Sequence, residues 1–191
     1  MPITFKELNL HPSLVEATNA LGFEHATPVQ EKVVPVAIEG GDLMVSSQTG
    51  SGKTAAFLLP LIHQILTNNP NGKPVPGRAE PQILVLCPTR ELAQQVAADA
   101  IELVKFTRGI RIATIMGGMP YGKQIASLKG AQLVVATPGR LIDLNDSRAI
   151  RLDKVNHLVV DEADRMLDLG FAEDLENIHQ RCENLQQTMM F

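Results

Sequence analysis

With 191 residues, 45% apolar and 20% charged, the chain has the size and composition of one globular domain with a sizeable core, or one and a small extra, and disorder is excluded. A net charge of −4 excludes bulk attraction to nucleic acid, so any such site must be a local patch. Cys87 and Cys182 lie far apart without metal-type spacing, no basic-then-apolar leader is present, and no apolar run is long enough to span a membrane. These features predict a reduced, soluble, cytoplasmic protein with no membrane partner.

In chain order, Pro12 and the apolar positions Leu14, Ala17 and Leu21 predict a short helix that Gly22 stops. A second helix starts at Thr27-Pro28 and carries Val29, Val33 and Val36; Pro35 is expected to kink it and Gly40-Gly41 to end it. Leu43-Met44-Val45 reads as a strand, followed by a glycine loop and a helix to about Thr67. The Pro-, Gly- and Asn-rich stretch Asn68 to Glu80 is predicted as a surface loop within the domain, because a buried-strand pattern resumes at Ile83. Strands at 83–87, 110–116, 132–136 and 155–160 then alternate with helices at 91–106, around 123–129, from Pro138, and at about 173–182. A last apolar run, Met189-Met190-Phe191, follows. Apolar strands separated by helices predict an α/β fold, a mostly parallel sheet with helices on both faces.

Ligands of such sheets sit at the carboxyl ends of the strands. Here five strand ends each run into polar or glycine-rich residues, and they define one rim. The first is Ser46-Ser47-Gln48-Thr49-Gly50-Ser51-Gly52-Lys53-Thr54. Strand, glycine loop and helix form the context of a phosphate-binding P-loop, with a relaxed first position at Ser47. Backbone N–H groups and the helix N-terminus favour an anion, Lys53 reaches the β- and γ-phosphates, and the Thr54 hydroxyl is placed for Mg²⁺. Asp161-Glu162 closes the strand Leu158-Val159-Val160. Asp161 is the expected Mg²⁺ partner, in part through water, and Glu162 is suited to orient and deprotonate an attacking water. Alternatively, the two carboxylates cap the helix that follows.

Asp161-Glu162-Ala163-Asp164 resembles the signature of the DEAD-box RNA helicases, and further motifs agree in order. Gly22-Phe23 with Thr27-Pro28-Val29-Gln30 is similar to that family's Q motif, with Phe5 as the upstream aromatic. Pro88-Thr89-Arg90-Glu91-Leu92-Ala93, Gly117-Gly118 and Thr137-Pro138-Gly139-Arg140 match three more, and Asp164 to Asp168 with Gly170-Phe171 is also similar.

The resemblance implies the first RecA-like domain of an ATP-dependent RNA helicase, an RNA-stimulated ATPase. Residues 1–40 would form a helical segment with the Q motif, packed on a RecA-like ATP-binding domain at 41–191. ATP and Mg²⁺ are the implied cofactors. Gln30 would select adenine, with Phe5 and Phe23 beside the base and residues 47–54 on the phosphates; Thr27-x-x-Gln30 also fits a helix capping box by itself. Lys53, Asp161 and Glu162 would carry catalysis. Pro88, Thr89, Arg90, Gly117, Gly118, Thr137, Pro138, Gly139 and Arg140 would line a path for single-stranded or duplex RNA, read through its backbone. Thr89 and Thr137 as plain N-caps, with Pro138 at N1, remain the local alternative.

In that family a Ser-Ala-Thr motif would follow Phe191, then a second RecA-like domain that is the implied intramolecular partner. RNA-processing or ribosome-assembly proteins are the further partners. Since the arginine finger belongs to that second domain, residues 1–191 alone are expected to bind nucleotide with little turnover. Rival readings are an ATP-gated RNA clamp, and a DNA translocase of the same superfamily. An unrelated P-loop kinase or transporter ATPase would leave the Thr-Pro-Gly-Arg and Pro-Thr-Arg-Glu-Leu motifs unexplained.

Overall fold

The computed structural model describes residues 1–68 and 79–191, so most of the expected loop from Asn68 to Glu80 lies outside the described residues. A 3₁₀ turn at Phe5–Leu8 precedes α1 (Pro12–Ala20) and α2 (Pro28–Glu39). The alternating part then runs β1 (Leu43–Met44), α3 (Lys53–Asn68), β2 (Ile83–Leu86), α4 (Arg90–Leu103), β3 (Ile112–Ile115), α5 (Tyr121–Leu128) and β4 (Leu133–Ala136). It closes with α6 (Pro138–Asp146), β5 (His157–Val160), α7 (Ala163–Asp168), α8 (Ala172–Arg181) and β6 (Gln187–Met190). The strands are shorter than their apolar runs, because the flanking residues leave the ladder to enter the loops. α7 is the short helix that follows Asp161-Glu162. α2 runs through Pro35 to Glu39 and closes at Gly40, the end that the sequence predicts.

The six described strands pair in parallel throughout, in the order β1-β6-β5-β2-β4-β3. The side-chain period of two splits each strand between two cores. Ile83, Val85, Leu133, Val135 and Val159 face a core built with α1 to α4, around Leu14, Val34, Phe57 and Ile62. Leu84, Leu86, Val134, Leu158 and Val160 face a second core with Leu128, Leu141, Met166 and Ile178 from α5 to α8. Burial on both faces is why these strands read as unbroken apolar runs, ILVL, LVVA and HLVV.

The first forty residues lie against this frame. Phe5, Leu8 and Leu10 are buried, the Ala26 amide donates to the Ile3 carbonyl (2.8 Å), and the Ile3 amide donates to Glu31 Oε1 (2.9 Å). At the other end of α2, buried Gln187 of β6 donates from Nε2 to the carbonyls of Ala37 (3.1 Å) and Gly41 (2.7 Å). The Thr188 amide donates to Asp42 Oδ1 at 2.8 Å. β6 therefore fixes both the strand that leads into the glycine loop and the helix that leads into that strand.

His157, at the start of β5, is almost fully enclosed, and this burial holds its imidazole below the ordinary value of 6.5. His63 shifts the same way, through burial and then the nearby His11. Both rings resist protonation in the fold and accept it freely in the unfolded chain. Their contribution to stability is full above pH 6.5 and is lost as pH falls below that value toward the lowered folded one. Urea midpoints should therefore decline between about pH 7 and about pH 5, and His157→Asn should flatten the decline.

Candidate functional site

From Met44 the chain passes through residues 45–52 into α3, and Gly50 (φ +82°) and Gly52 (φ +81°) supply the left-handed backbone that the tight loop requires. Gly52 also lets the loop approach α2 closely. A Cβ there would lie 2.6 Å from Gln30 Nε2 and 3.0 Å from Thr27 Oγ1. The loop leads directly to Lys53 at the first turn of α3. Its ammonium sits 3.1 Å from Asp161 Oδ1 and 3.8 Å from Glu162 Oε1, so the glycine loop and the end of β5 meet as the motif spacing predicts.

Asp161 has no exposed surface. Burial pushes its carboxyl above the ordinary carboxylate range; the Lys53 charge and hydrogen bond oppose that shift without cancelling it. Oδ1 accepts from Lys53 and from the Glu162 amide (3.0 Å), whereas Oδ2 is buried with no partner among the described residues. The hydroxyls of Ser47 and Ser51 are buried and unpaired in the same way. Leaving such atoms unpaired costs about 1–3 kcal/mol each, and unpaired polar atoms on the glycine loop and on the lysine's carboxylate partner fit a polyoxyanion with a hard cation better than an apolar ligand. Glu162 takes a left-handed conformation (φ +50°) at the N-cap of α7 and makes no capping bond. Instead its Oε2 lies 3.3 Å from Arg165 Nη1 and its Oε1 faces Lys53, so the carboxylates point into the site and helix capping is not their use.

Beside the loop, a cleft of ≈ 420 Å³ is lined by Phe23, Gln30, Lys53 and Glu162, with Gln95 and Asp99 of α4 on the far wall. Burial raises the Asp99 carboxyl above its ordinary value. Thr27 and Gln30 form a reciprocal capping box: Gln30 Oε1 accepts from the Thr27 amide (2.9 Å), and Thr27 Oγ1 accepts from the Gln30 amide (3.4 Å). Gln30 Nε2 in turn donates to the Gly52 carbonyl at 3.0 Å, tying α2 to the glycine loop. The capping and loop-facing uses of Gln30 thus coexist, and each end of its carboxamide keeps capacity for one more bond.

Phe5 corrects the expectation drawn from sequence. It is 2% exposed, inside the core beneath α2, and cannot stack on a base; Phe23, 44% exposed on the cleft, is the aromatic in reach. Gln95 and Asp99 carried no sequence signal, since i, i+4 spacing on α4 gains meaning only once that helix faces the loop.

Three further strand ends complete the rim. Thr89 caps α4 by accepting from the Leu92 amide (3.2 Å), while Thr137 precedes α6 without a capping bond, contrary to the plain N-cap reading. Arg90 lies across Gly118 (φ +82°), where a Cβ would come within 2.7 Å of Arg90 Nη1. Two motifs 28 residues apart are therefore one surface. Arg140 lies over the Tyr121 ring at 4.1 Å and donates from Nη1 to the Met119 carbonyl (2.8 Å) and to Gln124 Oε1 (3.1 Å). Gln124, fully enclosed, donates to the Met116 carbonyl at 2.7 Å. Tyr121 and Gln124, unmarked in the sequence, hold Arg140 in place. Pro88 and Pro138 are buried beneath the rim, which corrects their expected place on its surface; Gly117, Gly118, Thr137, Gly139, Thr89 and Arg90 keep solvent access.

An all-parallel sheet with a glycine-loop lysine meeting the carboxylates of a neighbouring strand end defines a P-loop domain of α/β class. The relatives narrow it. A DEAD/DEAH box helicase family model matches residues 27–191. The chain is 43% identical over 188 residues to the ATP-dependent RNA helicase CshA of Listeria monocytogenes, covering 98% of this chain and 34% of that protein. It is 42% identical over 191 residues to the ATP-dependent RNA helicase RhlB of Pseudomonas aeruginosa, covering 98% of this chain and 47% of that protein. The crystal structure of a hypothetical ATP-dependent RNA helicase from Sulfolobus tokodaii is similar at TM-score 0.84 and 35% identity, over 95% of this chain and 50% of that one.

The chain therefore belongs to the DEAD/DEAH box helicase family and carries its N-terminal RecA-like domain. It spans between a third and a half of the length of these curated relatives.

The two aromatics separate experimentally. Phe5→Ala should cost about 3–5 kcal/mol of stability in urea unfolding, whereas Phe23→Ala should stay within about 0.5 kcal/mol of the parent.

Proposed function

We propose that this chain is the ATP- and Mg²⁺-binding half of an ATP-dependent RNA helicase that works in the cytoplasm. Residues 1–40 are its Q-motif segment and 41–191 its RecA-like ATP-binding domain. The observation that carries this reading is the Lys53–Asp161–Glu162 cluster at the mouth of the glycine loop, with Asp161 Oδ2 still unpaired. Mg²⁺-ATP supplies the transferable phosphoryl group and the cation that neutralises its charge. Thr54 and Asp161 would hold the metal, Asp161 in part through water. Lys53 leaves its carboxylates for the β- and γ-phosphates, and residues 47–52 present backbone N–H groups to the same anion. Glu162 orients the attacking water and takes its proton.

Gln30 reads the adenine edge with the remaining N–H and lone pair of its carboxamide, and Phe23 covers the base. Along the rim, Arg90, Arg140 and the exposed glycines and threonines grip RNA through its phosphates and sugars, without reading sequence. A second RecA-like domain of the same polypeptide closes on this one when ATP binds and parts a short duplex locally. RNA-processing or ribosome-assembly proteins direct it to its substrate.

Hydrolysis by the chain alone should be slow with or without RNA, because the charge-stabilising arginine comes from the second domain. In the two-domain polypeptide, RNA and not matching DNA should stimulate turnover, and Glu162→Gln should lower kcat by at least about 100-fold. Equal stimulation by DNA would replace this reading with a general translocase; nucleotide-dependent RNA binding without stimulated turnover would replace it with a clamp. Phe23→Ala should weaken binding of a fluorescent adenine nucleotide roughly tenfold, as loss of one base-stacking contact does.

A further inference from the structure

The opposite end of the sheet carries a basic hollow that the rim motifs do not include. Lys129, beyond α5, and Arg148 and Arg151, beyond α6, line one depression with Ile125 and Glu80. Arg111, at the start of β3, joins them by donating from Nη1 to the Lys129 carbonyl at 3.0 Å. Arg151 is already committed, to Asp153 at 2.8 Å and to Glu80 at 3.5 Å. The side chains of Lys129 and Arg148 have no partner among the described residues. Among the described residues, Lys129, Arg148, Arg151 and Arg111 thus gather beside the carboxylates of Glu80 and Asp153, a local cationic excess in a chain whose net charge is −4.

Arg148 adds an independent observation. It occupies the left-handed region (φ +64°) just past the end of α6, where the Ala149 amide donates to the Leu144 carbonyl (2.9 Å) and the chain reverses. Glycine is the unstrained residue at such a position. The Arg148 side chain is exposed and has no partner among the described residues, so it can meet an anion from outside the fold.

The hollow is also placed to continue the rim. α5 and α6 are linked by Arg140 to Gln124 and by the Tyr121 hydroxyl to Asp143. Both then descend to the hollow. A helix the length of α6 covers about 13 Å, a short step for a nucleic-acid strand.

We propose that Lys129 and Arg148 form a second phosphate-binding site, which takes the backbone of an RNA strand after it leaves the rim; this rests on the RNA reading above. Short RNA would engage the rim alone, and longer RNA both sites. The contact is electrostatic and indifferent to sequence.

The test compares fluorescent oligouridylates of about six and about twenty nucleotides binding to the wild-type chain, Lys129→Gln/Arg148→Gly and Arg90→Ala. The double variant should bind the longer oligonucleotide about tenfold more weakly, with a salt slope lower by about 1.4, and the shorter one unchanged. Arg90→Ala should weaken both. The glycine at 148 relieves backbone strain, so thermal unfolding should confirm that any loss is not a folding defect. Equal loss on both lengths, or none on either, overturns the second site while leaving the rim intact. Displacement of the longer RNA by a polyglutamate peptide at matched charge would overturn it in favour of an acidic protein partner. Wild-type binding to neither RNA would remove the RNA reading and this inference together.

Discussion

One ion pair organises the molecule. Lys53 and Asp161 come from the two strand ends that the topology brings to one rim, and the carboxylate has no exposed surface. Stripping a charge of water costs several kcal/mol unless a partner and hydrogen bonds replace it. Lys53 and the Glu162 amide replace part of that hydration and leave one oxygen unserved. The pair thus positions the glycine loop against β5 and holds the site short of saturation. Gly52 lets α2 and the loop approach, Gln30 joins them, and Gln187 fixes the far end of α2 to the strand between the two charged elements.

The polar groups around this centre share a design. Gln30, Arg140 and Thr89 each make a bond that shapes the fold, yet none is exhausted by it. A carboxamide with four hydrogen-bonding positions and a guanidinium with five donors can be locked by one partner and still present the rest. Their rotamers are set before any ligand arrives, which lowers the ordering cost of binding. The buried Gln124 extends the pattern one layer inward, since it orients Arg140 and is itself held by the Met116 carbonyl.

Most of this was legible in the chain. Strands buried on both faces carry their signal in composition alone, and the five strand-end motifs announced the rim. What escaped was relational. Phe5 and Phe23 are both aromatics near the Q motif, and only the packing beneath α2 decides which one meets the cleft. The helix after Asp161-Glu162 is expected, but α7 has too few residues for helical periodicity to set its bounds. Lys129, Arg148 and Arg151 are scattered cations in sequence; two helices ending at the same level make them neighbours. Proline in Pro88 and Pro138 was read by motif membership, whereas the rings serve the turn beneath the surface.

The pairing of β1 with β6 has a consequence for how the molecule is made. Leu43 meets Met189, and the Gly41 carbonyl meets Gln187 across 146 residues, the longest closures in the sheet. β1 is only two residues long and has β6 as its sole strand neighbour among the described residues. Pairings of such separation form late, because the entropy of closing the loop must be met before the contact returns anything. During synthesis the middle strands β2, β4 and β5 can assemble while the glycine loop still lacks its anchor. The phosphate loop, encoded before β2, therefore gains its anchor only when β6 emerges, so a chain made only as far as β5 presents a folded core without a working nucleotide loop.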